Sequence, residues 1–201
     1  MSTTPAPAGL ALPVTDEALA ERLRARMQLV EEALAVHVRS RAGFVTEAAS
    51  HLMAAGGKRF RPLLVLLAAE TGDTAEADEV IRAACVVELT HLASLYHDDV
   101  MDEADLRRGA ESANSRWDNH VAILTGDFLF SKSSELTASL GADAVLIQSQ
   151  TFTKLVEGQI LETLTPDSDP LAHYLRVVEG KTGSLIATSG RLARVRPKRR
   201  P

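Results

Sequence analysis

The sequence predicts an all-α protein in which long helices form a bundle around a central helix. Of the 201 residues, 45% are apolar but only 4% are aromatic, and apolar side chains dominated by Ala, Leu and Val favour helices over sheets. Apolar residues recur at spacings of three and four along most of the chain, as they do on one face of a helix. No segment shows a competing strand pattern, and the chain is long enough for one domain with a sizeable core.

The first part of the chain predicts a leader and three helices. Residues 1–13 are rich in Pro and Ala and lack a period, so we expect a flexible leader ahead of a helical domain over residues 14–190. The second helix ends at Gly56-Gly57, and Pro62 fits the first turn of the third. The three helices are expected over residues 15–38, 45–55 and 62–71.

The fourth predicted helix is the most apolar of the chain. Asp73 or Thr74 can cap its start, and it runs to about Asp102 with nearly all of its faces buried. Gly141 separates two of the helices that follow. Those helices are expected over residues 117–140, 142–165 and 170–189.

The net charge of −5 hides a shift along the chain. Residues 191–201 carry six basic groups and no acid, whereas residues 1–190 carry 16 basic and 27 acidic groups, a net charge of −11. An acidic body does not favour nucleic acid, whose phosphates bind clustered Lys and Arg, so we expect no nucleic-acid partner. The basic segment is expected to be a disordered or non-native tail, with contact to nucleic acid or an anionic membrane as the alternative.

The sequence predicts no transmembrane segment. The longest strictly apolar stretch, residues 63–69, is far shorter than the ~20 residues that a membrane span requires. The N-terminus has no basic segment followed by an apolar one, as a signal peptide would. Cys85 is the single cysteine, which permits no internal disulfide and is compatible with a reducing compartment. We expect a cytoplasmic protein.

Five acidic residues fall within residues 98–105, at the end of the most apolar helix. Asp98 and Asp102 are four residues apart, which places both carboxylates on one helix face. Local stability does not explain them, because like charges at this spacing repel and acids oppose the dipole at a helix C-terminus. Oxygen ligands of this kind suit Mg²⁺, and the alternative is a solvated acidic helix end. His91 falls on the same face, which favours a role in the site over that of a core histidine.

Two basic segments fit phosphate groups. Arg107 and Arg108 follow the acidic cluster and suit a phosphate that a metal already holds; the alternative is charge compensation across a loop. Lys58 and Arg61 lie in the segment 56–62, whose glycines let a ligand approach the backbone; the alternative is a loop between helices with solvated charges.

A third segment, residues 180–184, reads Gly-Lys-Thr-Gly-Ser. It is not a P-loop, because position 175 is Leu rather than the required Gly. Each glycine costs up to ~1 kcal/mol inside a helix, so we expect a kinked helix that presents Lys181 and Thr182 to an anion.

Four segments in this order are similar to the trans-isoprenyl diphosphate synthases. They are GGKRFRP at 56–62, ELTHLASLYHDDVMDEADLRRG at 88–109, AILTGDF at 122–128 and EGKTGS at 179–184. Each is weak alone, but the ordered set is specific, and the resemblance covers about residues 15–190. It implies an antiparallel helical bundle of the isoprenoid synthase type. It also implies Mg²⁺-dependent head-to-tail prenyl transfer between isopentenyl diphosphate and an allylic diphosphate.

The resemblance further implies roles for individual residues. Asp98 and Asp102 would be the Mg²⁺ ligands, with Asp99 supporting them, and these three with Lys181 would form the catalytic set. The residues implied to bind isopentenyl diphosphate are Lys58, Arg61, His91 and Arg108. The residues implied to hold the allylic diphosphate are Arg107, Lys181 and Thr182.

A developing carbocation requires a dry apolar pocket. We expect the helices around Leu92, Leu95, Phe128 and Leu129 to supply this pocket. In the family that the chain resembles, product length depends on the bulk of the side chains just before the aspartates, where Ala93 and Ser94 stand. Both are small, which predicts a deep pocket and a product of geranylgeranyl length or longer.

The sequence departs from the family pattern towards its end. The family carries a second aspartate-rich motif on a later helix, and nothing after Ser184 resembles it. We therefore expect a truncated or frame-shifted member that lacks the C-terminal helices and is nearly inactive alone. A homodimer or heterodimer through helices is expected. The alternatives are a partner subunit of a hetero-oligomeric synthase and a prenyl-diphosphate-binding module without chemistry. A terpene cyclase is disfavoured, because one substrate needs no second diphosphate site.

Overall fold

The computed structural model describes residues 15–73, 75–165 and 169–194. Within them the protein is all-α, as predicted, apart from one short hairpin. The helices are α1 (Glu17–His37), α2 (Gly43–Ala54), α3 (Phe60–Ala69), α4 (Asp78–Met101), α5 (Ala113–Arg116), α6 (Asn119–Ser139), α7 (Ala142–Glu162), α8 (Pro170–Val178) and α9 (Ser184–Leu192). A π-helical turn, Glu179–Gly183, joins α8 to α9, and the strands are β1 (Leu106–Arg107) and β2 (Ala110–Glu111). None of the described helices is both long enough and apolar enough to cross a membrane.

Helix α4 is the centre of the bundle. It packs most extensively against α6 and also contacts α1, α3 and α9. Its buried residues, among them Val86, Leu89 and Leu92, lie on all of its sides. A helix that is apolar all round is stable inside a core, so the composition of α4 and its central position agree.

Helix α4 begins at Asp78, later than the predicted cap at Asp73. Thr74, the other predicted cap, lies outside the described residues. Ala77, which precedes the helix, provides no side-chain cap. Arg26 of α1 instead donates from Nη2 to the carbonyl oxygen of Ala77 at 3.2 Å. A contact between distant segments therefore holds the chain where it enters the helix, which local sequence does not reveal.

The expectation that no strand forms is wrong at the hairpin after α4. Strands β1 and β2 pair antiparallel over two residues each, too few for an alternating pattern in the sequence. The turn residues Arg108 and Gly109 have φ angles of 53° and 78°, the left-handed backbone that a two-residue hairpin turn requires. The hairpin reverses the chain directly after the acidic cluster and sets Arg107 on a strand and Arg108 in a turn.

The helix predicted over residues 170–189 is broken by the π turn, at the position where a kink was expected. Gly158 of α7 and Gly180 of the turn bring the two backbones together, since a Cβ on Gly180 would lie 2.8 Å from the Gly158 Cα. Helix α9 runs to Leu192, two residues beyond the expected boundary of the helical domain, and Leu192 and Ala193 are buried. Residues 195–201 of the predicted tail and the predicted leader, 1–13, lie outside the described residues.

Candidate functional site

The acidic cluster lies at the C-terminal end of α4, as the spacing predicts. Asp98 is half-buried, whereas the side chain of Asp102, the residue after the helix, is 51% exposed. Burial raises the pKa of Asp98; the charge of Lys181 opposes this rise, and the charge of Asp102 adds to it. Loss of water and a neighbouring like charge both disfavour a bare carboxylate, so the pair favours a cation.

Asp99 faces the interior and holds Arg107. Its side chain is fully buried, and Oδ1 accepts a hydrogen bond from Arg107 Nε at 2.5 Å. Arg107 Nη2 also lies 3.8 Å from Asp102 Oδ2, so the arginine on β1 bridges two carboxylates. Asp99 Oδ2 is buried without a hydrogen-bond partner in the described part of the chain. Arg107 thus adopts the charge-compensating arrangement that was the alternative to a phosphate clamp.

Lys181 reaches the acidic cluster from the π turn. It lines the same pocket as Asp98, and its Nζ donates to Glu162 Oε2 at 2.5 Å. Thr182, the next residue, is exposed and does not line this pocket. Glu162 was missed from sequence, because a single acid at the end of α7 carries no local sign that it faces Lys181.

A cluster of cationic side chains surrounds His91, which lies about two turns before Asp98 on α4. This cationic cluster consists of Arg59, Arg61 and Arg108. Burial lowers the pKa of His91 to about 3, and the charges of Arg61 and Arg108 contribute further. Its imidazole is therefore neutral at physiological pH and can both donate and accept a hydrogen bond. Arg61, in the first turn of α3, is half-buried, and its Nε has no hydrogen-bond partner among the described residues. The structure therefore brings Arg61, His91 and Arg108 together.

Arg108 is held by the C-terminal end of α2. Its Nη1 donates to the carbonyl oxygen of Leu52 at 3.1 Å and to that of Gly56. Cations at this end of a helix are favoured by the dipole and by the carbonyls that lack helical partners. Lys58, in the loop between α2 and α3, is exposed, so it lies on the solvent side of this loop.

Arg59 is a buried member of the cationic cluster that sequence reasoning did not single out. Its Nε lies 2.6 Å from Glu31 Oε1 and its Nη1 lies 3.1 Å from Glu88 Oε1. Burial raises the pKa of Glu88, and the charge of Arg59 is the largest effect that opposes the rise. A signal was present, because Glu88 is the only acid within residues 80–97, and a glutamate in so apolar a stretch is buried only when paired.

An apolar pocket of about 100 Å³ opens beside Asp98 and Lys181. Its apolar lining comes mainly from α7, with one residue each from α4 and α6, and consists of Met101, Phe130, Phe152, Leu155 and Val156. The rings of Phe130 and Phe152 meet edge to face with centroids 4.6 Å apart. The pocket therefore places an apolar wall next to the acidic cluster.

The two helices predicted to supply this pocket, α4 and α6, both line it, but through residues other than those named, and α7 lines it as well. Leu92 and Leu129 are fully buried in the core, and Leu95 packs against that core. Phe128 faces Lys132, whose Nζ lies 5.6 Å from the ring centroid. Helical periodicity identifies apolar faces, but which face meets the pocket depends on how α6 and α7 pack. Of the two small residues before the aspartates, Ser94 lines the pocket and Ala93 is buried in the core.

His97 also lines the pocket, directly before Asp98, and was not predicted. Its Nε2 lies 3.0 Å from the carbonyl oxygen of Ile123 and 3.4 Å from Asp127 Oδ1. Gly126 provides the room for this ring, since a Cβ at Gly126 would collide with the imidazole. Glycine at position 126 inside α6 is therefore explained by the close packing of His97 against it.

The comparisons with known proteins agree with this fold. The family model described as Polyprenyl synthetase matches residues 43–199. The solved structures that the chain resembles are isoprenoid synthases with an all-α fold. The chain belongs to the polyprenyl synthetase family, as the resemblance predicted.

Relatives and solved structures are similar along most of the chain. Nonaprenyl diphosphate synthase from Mycobacterium tuberculosis is 46% identical over 191 residues, which are 94% of this chain and 57% of that protein. Heptaprenyl diphosphate synthase component 2 from Geobacillus stearothermophilus is 44% identical over 149 residues, which are 73% of this chain and 46% of that protein. Geranylgeranyl pyrophosphate synthase from Corynebacterium glutamicum, complexed with calcium and isoprenyl diphosphate, superposes with a TM-score of 0.82 at 46% identity, covering 94% of this chain and 59% of that one. The chain thus spans about half the length of the relatives it matches.

Proposed function

We propose that the protein acts in head-to-tail prenyl transfer, in which isopentenyl diphosphate is condensed with an allylic diphosphate. This proposal rests on two different sites that can each hold a diphosphate. One is the acidic cluster with Lys181 beside an apolar pocket, where a bound cation would hold the anion, and the other is the cationic cluster around His91. A reaction between two diphosphate substrates needs both sites. Family membership supports the same reaction class. We also propose that the reaction takes place in the cytoplasm.

The residues at the end of α4 fit a divalent cation, and we propose Mg²⁺. Asp98 and Asp102 would hold it, because they offer oxygen ligands from one helix face and carry like charges that repel. Among the described residues no three His, Cys, Asp or Glu side chains form a metal site by themselves. Two carboxylates suit Mg²⁺, which keeps several waters and bridges to substrate phosphates. When bound, the ion supplies positive charge that stabilises the departing diphosphate.

We propose that Lys181, Thr182 and Arg107 orient the allylic diphosphate. Lys181 already lies beside Asp98, so its ammonium can contact a phosphate held at the acidic cluster. Arg107 would stay anchored through Asp99 and turn its remaining N–H groups to the same anion, since a guanidinium has five donors. In this role Asp99 supports the site by fixing Arg107 rather than by binding the cation itself.

We propose that isopentenyl diphosphate binds at the cationic cluster, through Lys58, Arg61, His91 and Arg108. Arg61 and Arg108 supply fixed charge, and the neutral His91 supplies a hydrogen bond without adding to the charge. Exposed Lys58 can move to the ligand from the solvent side. Two separate diphosphate sites favour condensation over a one-substrate cyclisation.

The apolar pocket would exclude water from the allylic chain, and we propose a product of geranylgeranyl length or longer. Ser94 is the small residue that lines the pocket, so Ser94→Phe is expected to shorten the products. Thin-layer chromatography of the products of the wild-type chain and the variant measures this. Products of unchanged length would contradict control of length at this position.

The reaction is tested by incubating the purified chain with radiolabelled isopentenyl diphosphate and farnesyl diphosphate, with Mg²⁺ or with EDTA. In line with the low activity expected from the sequence, we expect at most slow Mg²⁺-dependent incorporation of label, which Asp98→Asn/Asp102→Asn abolishes. Glu21→Gln is the control, because Glu21 is an exposed acid on α1, and it should retain full incorporation. Neither incorporation nor binding of either diphosphate by the wild-type chain would contradict the proposal.

A second candidate is a partner subunit, or a prenyl-diphosphate-binding module, of a hetero-oligomeric synthase. Two observations favour it: one matching relative is called component 2 of its synthase, and α8 exposes apolar side chains, with Leu171 66% exposed and Tyr174 and Leu175 also outside the core. Binding of farnesyl diphosphate without turnover by the chain alone would support this candidate. Size-exclusion chromatography then distinguishes a homodimer from a monomer, and a monomer would favour a requirement for a different partner chain.

A further inference from the structure

Two arginines from different loops converge at the C-terminal end of α2. Arg59 and Arg108 both have positive φ, 46° and 53°. A Cβ on Gly57 would lie 2.8 Å from Arg108 Nη1 and 2.9 Å from Arg59 Nη1. Non-glycine residues hold this backbone conformation only where surrounding contacts over-determine it. Something in the structure therefore fixes both loops against α2.

Arg59 is fixed by contacts with three helices. Its Nε and Nη2 donate to the two carboxylate oxygens of Glu31 on α1, at 2.6 and 3.3 Å. Nη1 donates to Glu88 Oε1 on α4 at 3.1 Å, and Nη2 donates to the carbonyl oxygen of Met53 on α2 at 3.2 Å. These four bonds occupy most of the five N–H groups of a guanidinium. Arg59 therefore has few donors left for an external ligand.

Arg61, two residues further along, has the opposite environment. Its Nε is buried and lacks a hydrogen-bond partner among the described residues. Its charge acts on His91. Arg59, directly before α3, is held by two carboxylates and a carbonyl oxygen, whereas Arg61, in the first turn of α3, is left with donors for an external anion. The difference arises because Arg59 is buried against Glu88, whose side chain is only 3% exposed.

We infer that Arg59, with Glu88 and Glu31, is a positioning residue of the cationic cluster. It holds the loop between α2 and α3 so that Arg61, Arg108 and His91 face a single diphosphate, and it does not bind that diphosphate itself. The inference rests on the proposed function in one respect, namely that the cluster binds a diphosphate.

The sign of one substitution separates positioning from simple charge. Glu88 adds a negative charge to a cluster that attracts anions, so an account based on charge alone predicts that Glu88→Gln strengthens anion binding. If Glu88 acts by holding Arg59, the same substitution weakens binding although the net positive charge increases. Arg59→Lys keeps the charge but cannot form the forked contact with Glu31, so positioning predicts weaker binding there too.

The experiment is isothermal titration of inorganic diphosphate into the purified chain in EDTA, which removes binding through a metal at Asp98. We expect Glu88→Gln and Arg59→Lys each to weaken binding at least tenfold. Glu70→Gln is the matched control, because it removes a partly buried carboxylate from another arginine pair, with Arg22 at 3.0 Å, and should leave the affinity unchanged. Circular dichroism and urea midpoints verify that the variants are folded. If Glu88→Gln is not folded, the affinities of Glu31→Gln and Arg59→Lys test the inference instead.

Each outcome of the titration has a defined meaning. Unchanged or tighter binding by folded Glu88→Gln and Arg59→Lys would overturn the inference while the diphosphate site stands. Absence of binding by the wild-type chain would overturn the site and the inference together. Intact binding without condensation would contradict the proposed reaction and leave the inference in force. Where condensation is measurable, Arg59→Lys should raise the KM for isopentenyl diphosphate and leave kcat and the KM for the allylic substrate unchanged.

Discussion

Acid is expected to weaken the folded state through His91. Burial, together with the charges of Arg61 and Arg108, lowers the pKa of this imidazole to about 3, whereas an unfolded histidine titrates near ~6.5. Below that value the unfolded chain takes up a proton that the native chain does not. The free energy of unfolding therefore falls as the pH falls from ~6.5, and this loss ends only near the folded pKa.

The size of the effect follows from the two pKa values. At pH 7 the imidazole is neutral in both states, so the contribution of His91 is fully present. Between pH 7 and pH 5 the predicted loss is roughly 2 kcal/mol, and over the whole interval it is at most about 5 kcal/mol. The loss is large relative to the stability of a typical domain, ~5–15 kcal/mol, and is therefore measurable.

Urea unfolding of the wild-type chain and of His91→Gln at the two pH values measures this loss. Glutamine does not titrate, so the wild-type chain should lose roughly 2 kcal/mol more than the variant between pH 7 and pH 5. His120→Gln is the control, because the His120 side chain is 92% exposed, and it should leave the pH dependence of the wild-type chain intact. Equal losses in the wild-type chain and in His91→Gln would refute the placement of a neutral His91 among arginines.

Three further predictions concern packing and reactivity. Gly158→Ala would place a Cβ 2.8 Å from the carbonyl carbon of Gly180, a backbone contact that cannot yield freely, so urea unfolding should show a loss of ~1–3 kcal/mol; no loss would mean that the two backbones lie further apart. Leu129→Ala removes a fully buried side chain and should cost ~2–5 kcal/mol, whereas Leu124→Ala, at a residue that is 66% exposed, should stay within ~0.5 kcal/mol. Burial raises the pKa of the Cys85 thiol to about 12, so a thiol reagent should label it only as fast as the chain unfolds, and rapid labelling of the native protein would contradict its burial.

Local rules were sufficient for the long helices, apart from the start of α4, and for the acidic face. A spacing of four puts Asp98 and Asp102 on one side of any α-helix, because helix geometry does not depend on what the helix packs against. The break before α9 was predictable for a similar reason, since glycines weaken a helix wherever they occur. The hairpin was not predictable, because Arg108 adopts a left-handed backbone that its own preference disfavours and that contacts with α2 hold in place.

The sequence by itself determined the fold class, the order of the helices, the acidic face of α4 and the family. Only the tertiary structure decided which charges are neutralised and which residues line the pocket. Arg59 and Arg61 are equivalent on inspection of the sequence, yet Arg59 is paired with carboxylates of α1 and α4 while Arg61 retains a buried Nε without a partner in the described part of the chain. Lys181 lines the same pocket as Asp98 because the π turn packs closely on α7. These choices depend on distances between residues far apart in the chain, which periodicity and composition do not contain.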